Sequence, residues 1–219
     1  MLTGLWPSPS GSSEYALSFD RQREKRVLVI PALFEEGNKL RHFTVELMRR
    51  LDAGDIDCFL PDLPGTNESL EDLERQSLDS WRAAIDAAAH HFGATHVLTM
   101  RGGALVAPAH LSAMHYAPVA GSGLLRAMLR AQVMIASEQG RTETRDGLLA
   151  SGLAEGLRLG GYDIGPQMIG ELEAAKPAQD AEQIAQGDVG GGGLWLRAEP
   201  GHDPAQAQRL ADIIMERLR

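Results

Sequence analysis

The residues with the greatest chemical reach in this chain lie just after short apolar runs. Thr99-Met100-Arg101-Gly102-Gly103-Ala104 reads as a strand passing into a helix through small residues, with an arginine at the apex. Small neighbours are what a sharp, strained turn pressed against a sheet requires. A guanidinium is always charged and only donates, so Arg101 supplies neither an acyl-accepting nucleophile nor a general base at neutral pH. It can instead receive a carboxylate or phosphate on two parallel hydrogen bonds. Its place at the positive end of a helix costs roughly 0.3–1 kcal/mol unless an anion compensates.

The anion has candidates nearby in the fold. Pro31-Ala32-Leu33-Phe34-Glu35-Glu36-Gly37-Asn38-Lys39-Leu40-Arg41 follows another apolar run and reads as a loop at the same sheet edge. Either Arg101 pairs internally with Glu35 or Glu36 and pins two segments together, or it joins Lys39 or Arg41 in holding the anionic group of a substrate, with Glu35 and Asn38 beside it. The residues alone do not separate these readings. On the second, His202 or Glu36 is the general base, and water attacks an ester or acyl group directly. Ser69 and Ser122 sit in an ordinary turn and a helix entry, so neither has the setting of a displaced nucleophile. No acidic residue directly follows Val119 to complete a triad with His202.

The elements that must position these groups are legible from periodicity. Apolar runs at Tyr15 to Phe19, Val27 to Ile30, Cys58 to Leu60, His96 to Met100, Met114 to Val119 and Leu194 to Leu196 predict strands. Between them, Leu40, Phe43, Leu47 and Leu51 form one helical stripe, and Leu78, Trp81, Ile85, Ala88 and Phe92 another, closed by Gly93. Leu210, Ile213, Ile214 and Leu218 give a third stripe, which Asp203, Pro204 and Gln206 start with a capping-box spacing. Strands alternating with helices predict a mostly parallel sheet covered on both faces. Residues 121–186 read as helical and predict an inserted cap, with Leu125, Met128, Leu129 and Val133 along one face.

Composition narrows the partners. The chain has 219 residues, 43% of them hydrophobic, which is enough for one domain and short for two cores. A formal charge of −9 argues against nucleic acid and anionic membrane surfaces, so any bound anion must meet a local basic site. No apolar run approaches the roughly 20 residues of a membrane span. The one cysteine, Cys58, lies in an apolar strand and predicts a buried thiol, which fits a reducing cytoplasm. No cofactor motif or metal-ligand spacing is visible; His90 and His91 are adjacent on a helix and diverge.

Together these features predict a single α/β domain over 1–219 that is α/β-hydrolase-like, with a helical cap insertion at about 121–186. Arg101 occupies the nucleophile elbow of such a fold, and Asp62-Leu63-Pro64-Gly65-Thr66-Asn67-Glu68-Ser69 is close to its D-x-P-G-x-G-x-S turn, with Asn67 in place of the second glycine. The chain resembles the exosortase A system-associated hydrolase 2 family over most of its length. The likeness rests on Pro31 to Arg41, Pro61 to Gly65, Arg101 with Gly103-Ala104-Leu105, and Ala117-Pro118-Val119 through Gly161-Tyr162. That resemblance implies an arginine at the elbow and a link to exopolysaccharide production or envelope protein sorting. It names no substrate; the residues predict a hydrolase-like enzyme acting on an ester or acyl group of a small anionic or glycan-linked molecule, with Arg101 and Lys39 orienting the anion. A non-catalytic role, with the cap region recognising a protein partner, is the alternative. Thr99 departs from the family pattern, which has glycine there.

Overall fold

Strands buried on both faces need apolar residues at nearly every position, and Arg26–Ile30, Asp57–Pro61 and His96–Met100 are buried along almost their whole length. A computed structural model describes residues 1–219. In chain order the elements are β1 (Leu2–Pro7), β2 (Ser13–Phe19), β3 (Arg26–Ile30), α1 (Glu35–Ala53), β4 (Asp57–Pro61), α2 (Leu78–His91), β5 (His96–Met100) and β6 (Ser112–Tyr116). They continue with α3 (Gly121–Glu138), α4 (Arg145–Glu155), β7 (Leu157–Leu159), β8 (Tyr162–Ile164), α5 (Pro166–Ala174), β9 (Glu182–Ile184), α6 (Gln186–Val189) and α7 (Pro204–Arg217). The main sheet runs β1-β2-β4-β3-β5-β6-β9, antiparallel across β1, β2 and β4 and parallel from there to β9.

Alternation along the central strands sorts two cores. Leu28 and Ile30 face Trp81, Ile85, Leu124 and Met168, whereas Val27 and Val29 face Leu40, Phe43, Leu210 and Ile214. Thus α2, α3 and α5 cover one face, and α1 and α7 the other. The ends of α2 and α7 follow from their sequences. Gly93 takes φ 57° and its amide meets the His90 carbonyl, while the Ala94 amide meets that of Ala89, closing α2 in a Schellman turn. Asp203 caps α7 by accepting from the amides of Ala205 and Gln206. The Gln206 side chain does not reach back to the cap backbone; it donates to Asp203 Oδ2 and the Gly192 carbonyl.

Three expectations change, and one unassigned segment is a strand. Leu194–Leu196 is a 3-10 turn, with Leu194 buried and Leu196 79% exposed. Three residues behind a glycine run carry too little pattern to tell a strand from a turn. The strand at that end of the sheet is β9, inside the segment read as helical, which also contains the β7–β8 hairpin. Glu35 to Arg41 is not loop but the first two turns of α1. Leu2–Pro7, unassigned from periodicity, is an edge strand that buries only Trp6. Residues 121–186 share their apolar face with α2, since Leu125, Leu159, Ile169 and Leu172 belong to the same core as Trp81 and Ile85. No helix is long and apolar enough to cross a membrane.

The turn after β5 is pressed onto the sheet at Gly103, where a Cβ would lie 2.5 Å from the Pro31 carbonyl oxygen and 2.9 Å from that of Ile30. Backbone oxygens there cannot swing aside. Gly103→Ala is expected to cost about 1–3 kcal/mol in urea unfolding. Gly187→Ala, which meets nothing within 4 Å, should leave stability within about 1 kcal/mol of the parent.

Candidate functional site

Arg101 stands at the apex of the β5 turn with φ 52°, a left-handed conformation that only a surrounding structure can hold in a residue of this size. The turn continues as a 3-10 helix, Arg101–Val106, rather than an α-helix. Its guanidinium is gripped from three directions. Nε and Nη2 donate to Glu36 Oε2 and Oε1 at 3.1 and 3.0 Å, and Nη1 donates to the Ala117 carbonyl at 2.7 Å. The fourth contact is the Trp195 ring, whose centroid lies 4.0 Å from the guanidinium carbon. Side-chain exposures of 13% for Arg101 and 19% for Glu36 make this a largely buried pair.

Of the two acids at the start of α1, Glu36 therefore takes Arg101. Glu35, 55% exposed, pairs instead with Lys39 one helical turn on, at 2.8 Å. These four charges border a cavity of about 210 Å³ whose remaining wall includes Leu33, Phe34, Leu124, Met128, Trp195 and Leu196. Two acids against two bases leave its charged border formally neutral.

His202 does not line this cavity. Its ring stacks on His42 of α1, centroids 4.5 Å apart, and its Nδ1 is buried without a partner. A hydrogen-bonded chain runs from Tyr116 to the His202 loop. Tyr116, in edge contact with Trp195, donates to Gln186 Oε1; Gln186 Nε2 donates to Gln206 Oε1, and Gln206 to Asp203. Burial, partly offset by Arg101, pushes the Tyr116 phenol up to about 12, so it remains a donor through neutral pH.

Asn38 and Arg41 lie elsewhere. They line a second cavity, also about 210 Å³, with Asn67, Trp81 and Tyr162, and Leu33 and Phe34 form the wall between the two. Arg41 and Asn67 both donate to Asp62 Oδ1, at 2.8 and 2.7 Å, and Asp62 is 2% exposed. Asn38 donates to the Tyr162 hydroxyl at 2.9 Å and so ties α1 to the β7–β8 hairpin. Asn67 has φ 50°, which asparagine tolerates better than most residues; this accounts for its replacing the expected glycine. Ser69 is structural in its surroundings, accepting from the Gly65 amide and donating to the buried Glu14 carboxylate.

Beneath the apex, Thr99 shares a 2.8 Å hydrogen bond with His115 Nδ1, and both residues are fully buried. A glycine at position 99 would leave that nitrogen without this partner, which gives the threonine a physical reason. Nothing in the sequence flagged His115, because histidine in an apolar strand carries no signal of its partner.

No protein-family model matches the chain, and no curated protein does. Solved structures are similar over the whole length. Est1E from Butyrivibrio proteoclasticus, solved with ferulic acid bound, is 10% identical with a TM-score of 0.60, covering 98% of each chain. Alpha/beta hydrolase domain-containing protein 10 from mouse is 11% identical with a TM-score of 0.58, covering 100% of each. The bottromycin epimerase BotH, in complex with bottromycin A2, is 15% identical with a TM-score of 0.53, covering 99% of each. The chain has the α/β-hydrolase fold, with arginine at the elbow.

Two measurements probe this site. Removing one partner of a largely buried pair strands the other, so Glu36→Gln and Arg101→Ala should each cost about 2–3 kcal/mol after allowance for partial exposure. In a double-mutant cycle the losses should fall short of additivity by about 1 kcal/mol or more; additive losses would show that the pair is not coupled. The second concerns pH. Burial holds the His115 imidazole below the ordinary histidine range, so the unfolded chain takes up a proton there more readily than the folded one. Its contribution is unaffected well above about pH 6.5, and stability falls as pH drops below it. Replacing both Thr99→Val and His115→Leu should flatten the decline in unfolding free energy between about pH 7 and 5.

Proposed function

We propose that this protein is a non-catalytic binding member of the α/β-hydrolase fold, taking the end of a compact carboxylate- or acyl-bearing molecule in the cavity beside Arg101. One observation carries the reading: the elbow position is filled by a cation already neutralised by Glu36. Hydrolysis by activated water would need either Glu36 to release Arg101 or His202 to reach a cavity it does not line. The neighbour named an epimerase is consistent with this fold serving ends other than ester hydrolysis.

The cavity is smaller than the about 300–1,000 Å³ of drug-sized sites, so it suits one end of a ligand. Its wall of Leu124, Met128, Trp195 and Leu196 fits an aliphatic or aromatic body. Lys39 is the group best placed to take an anion: it lines the cavity at 16% exposure, and its one partner, Glu35, is 55% exposed and can turn to solvent when an anion displaces it. The resemblance of Pro31 to Arg41 and of the Arg101 turn to the exosortase-associated family supports a ligand or partner from exopolysaccharide production.

Binding of short carboxylates such as butyrate and hexanoate, followed by calorimetry or chemical-shift titration, tests the assignment. Lys39→Ala should weaken binding at least tenfold, and Glu35→Gln should strengthen it up to about fivefold by freeing Lys39. The parent and Arg101→Ser should both fail to turn over p-nitrophenyl esters. Saturable turnover by the parent that disappears in Glu36→Gln or His202→Ala would establish the hydrolytic reading in its place.

A further inference from the structure

Three side chains far from the elbow come together only in the folded chain. Asp86 and His90 are one helical turn apart on α2, and His110 arrives from the connection leading into β6. His110 Nδ1 lies 3.0 Å from Asp86 Oδ1, and His90 Nδ1 lies 3.8 Å from Asp86 Oδ2. One donor atom on each side chain lies within 4.8 Å of one on each of the others. The imidazole rings face each other with centroids 5.0 Å apart.

We propose that Asp86, His90 and His110 form a surface site for a late first-row divalent ion of the zinc type. Two imidazoles and a carboxylate, with water completing a tetrahedron, are a donor set that such ions take readily, whereas magnesium prefers oxygen alone. Bonds of about 2.0–2.1 Å put adjacent donors about 3.3 Å apart. Asp86 and His110 already stand near that spacing. The His110 ring and the Asp86 carboxylate, 45% and 47% exposed, have room to close the rest by rotating, while His90 stays on the Asp86 carbonyl.

Three further features favour the ion. His90 Nδ1 is 2.7 Å from the Asp86 carbonyl oxygen, which can only accept, so that nitrogen carries the proton and the ligating atom is Nε2; the 3.8 Å from Nδ1 to the carboxylate locates the ring and is not a donor spacing. A carbonyl holding the second nitrogen is how metal-bound histidines are commonly oriented. Asp86 has no lysine or arginine partner; Arg82, one turn before it, is held by Asp79 and the Leu105 carbonyl. His90 also lies in the last turn of α2, at the negative end of the helix dipole.

The site stands at the amino end of β6, whereas Ala117, which holds Arg101, follows its carboxyl end. A metal here would join α2 to the entry of β6 and take no direct part at the elbow cavity. The inference is thus independent of the ligand proposed there.

Calorimetric titration of tag-free full-length protein with Zn²⁺ in metal-stripped buffer is the test, with Mg²⁺ as the control ion. One Zn²⁺ per chain is expected. Asp86→Ala, His90→Gln and His110→Ala should each weaken it at least tenfold with unchanged circular dichroism, while His91→Ala stays within twofold. Saturating Zn²⁺ should also raise the thermal midpoint of the parent by several degrees and that of His110→Ala by less. Absence of saturable Zn²⁺ binding, or binding equally strong in His110→Ala, would overturn the site.

Discussion

A donor-only cation at the apex of a left-handed turn must be answered by an anion brought from elsewhere in the chain, and much of this end of the molecule is arranged around that requirement. Arg101 cannot relax away from the turn, because Gly103 is locked under the Ile30 and Pro31 carbonyls and Gly102 faces Leu124. Glu36 meets it because α1 begins at Glu35, directly after Phe34, itself held at φ 55°. Ala117, at φ 44°, turns its carbonyl to the same guanidinium, and Trp195 covers the face. Two strained backbone positions beyond Arg101 itself thus border one ion pair, which is where such strain persists when contacts over-determine it.

The helical pitch of α1 then divides the polar residues that a linear reading groups together. Glu35 and Lys39, one turn apart, border the cavity beside Arg101; Asn38 and Arg41 point to the second cavity and to Tyr162 and Asp62. Adjacent positions on a helix differ by about 100° in direction, so a cluster in sequence becomes two sites in space. The Leu33–Phe34 wall separates them. What reads as one loop in the sequence becomes, as helix, a pair of unlike surfaces.

Substitutions that look like losses against the expected motifs have local reasons. Asn67 replaces a glycine but adopts its backbone conformation and adds a hydrogen bond to Asp62. Thr99 replaces another and satisfies one nitrogen of a buried histidine. Arg101 stands where a serine would act, and with it comes a matching acid on α1. Each change is joined to a polar partner, in the same turn for Asn67 and on a separate element for Thr99 and Arg101, as expected where buried polar groups must be paired.

The sequence by itself determined the alternating architecture, the stripes of α1, α2 and α7, the Schellman end of α2 and the Asp203 cap, because each is written in residues within a turn or two of one another. It also determined that serine chemistry is missing at the elbow, which depends only on what residue 101 is. The tertiary structure decided that Glu36 rather than Glu35 answers Arg101, that Trp195 is drawn into a turn, that residues 121–186 share the core of α2, and that His110 joins Asp86 and His90. Periodicity and capping are short-range and survive in a linear reading. The partner of a long charged or aromatic side chain depends on which remote segment comes within about 3–4 Å of it, and only the packed chain sets that.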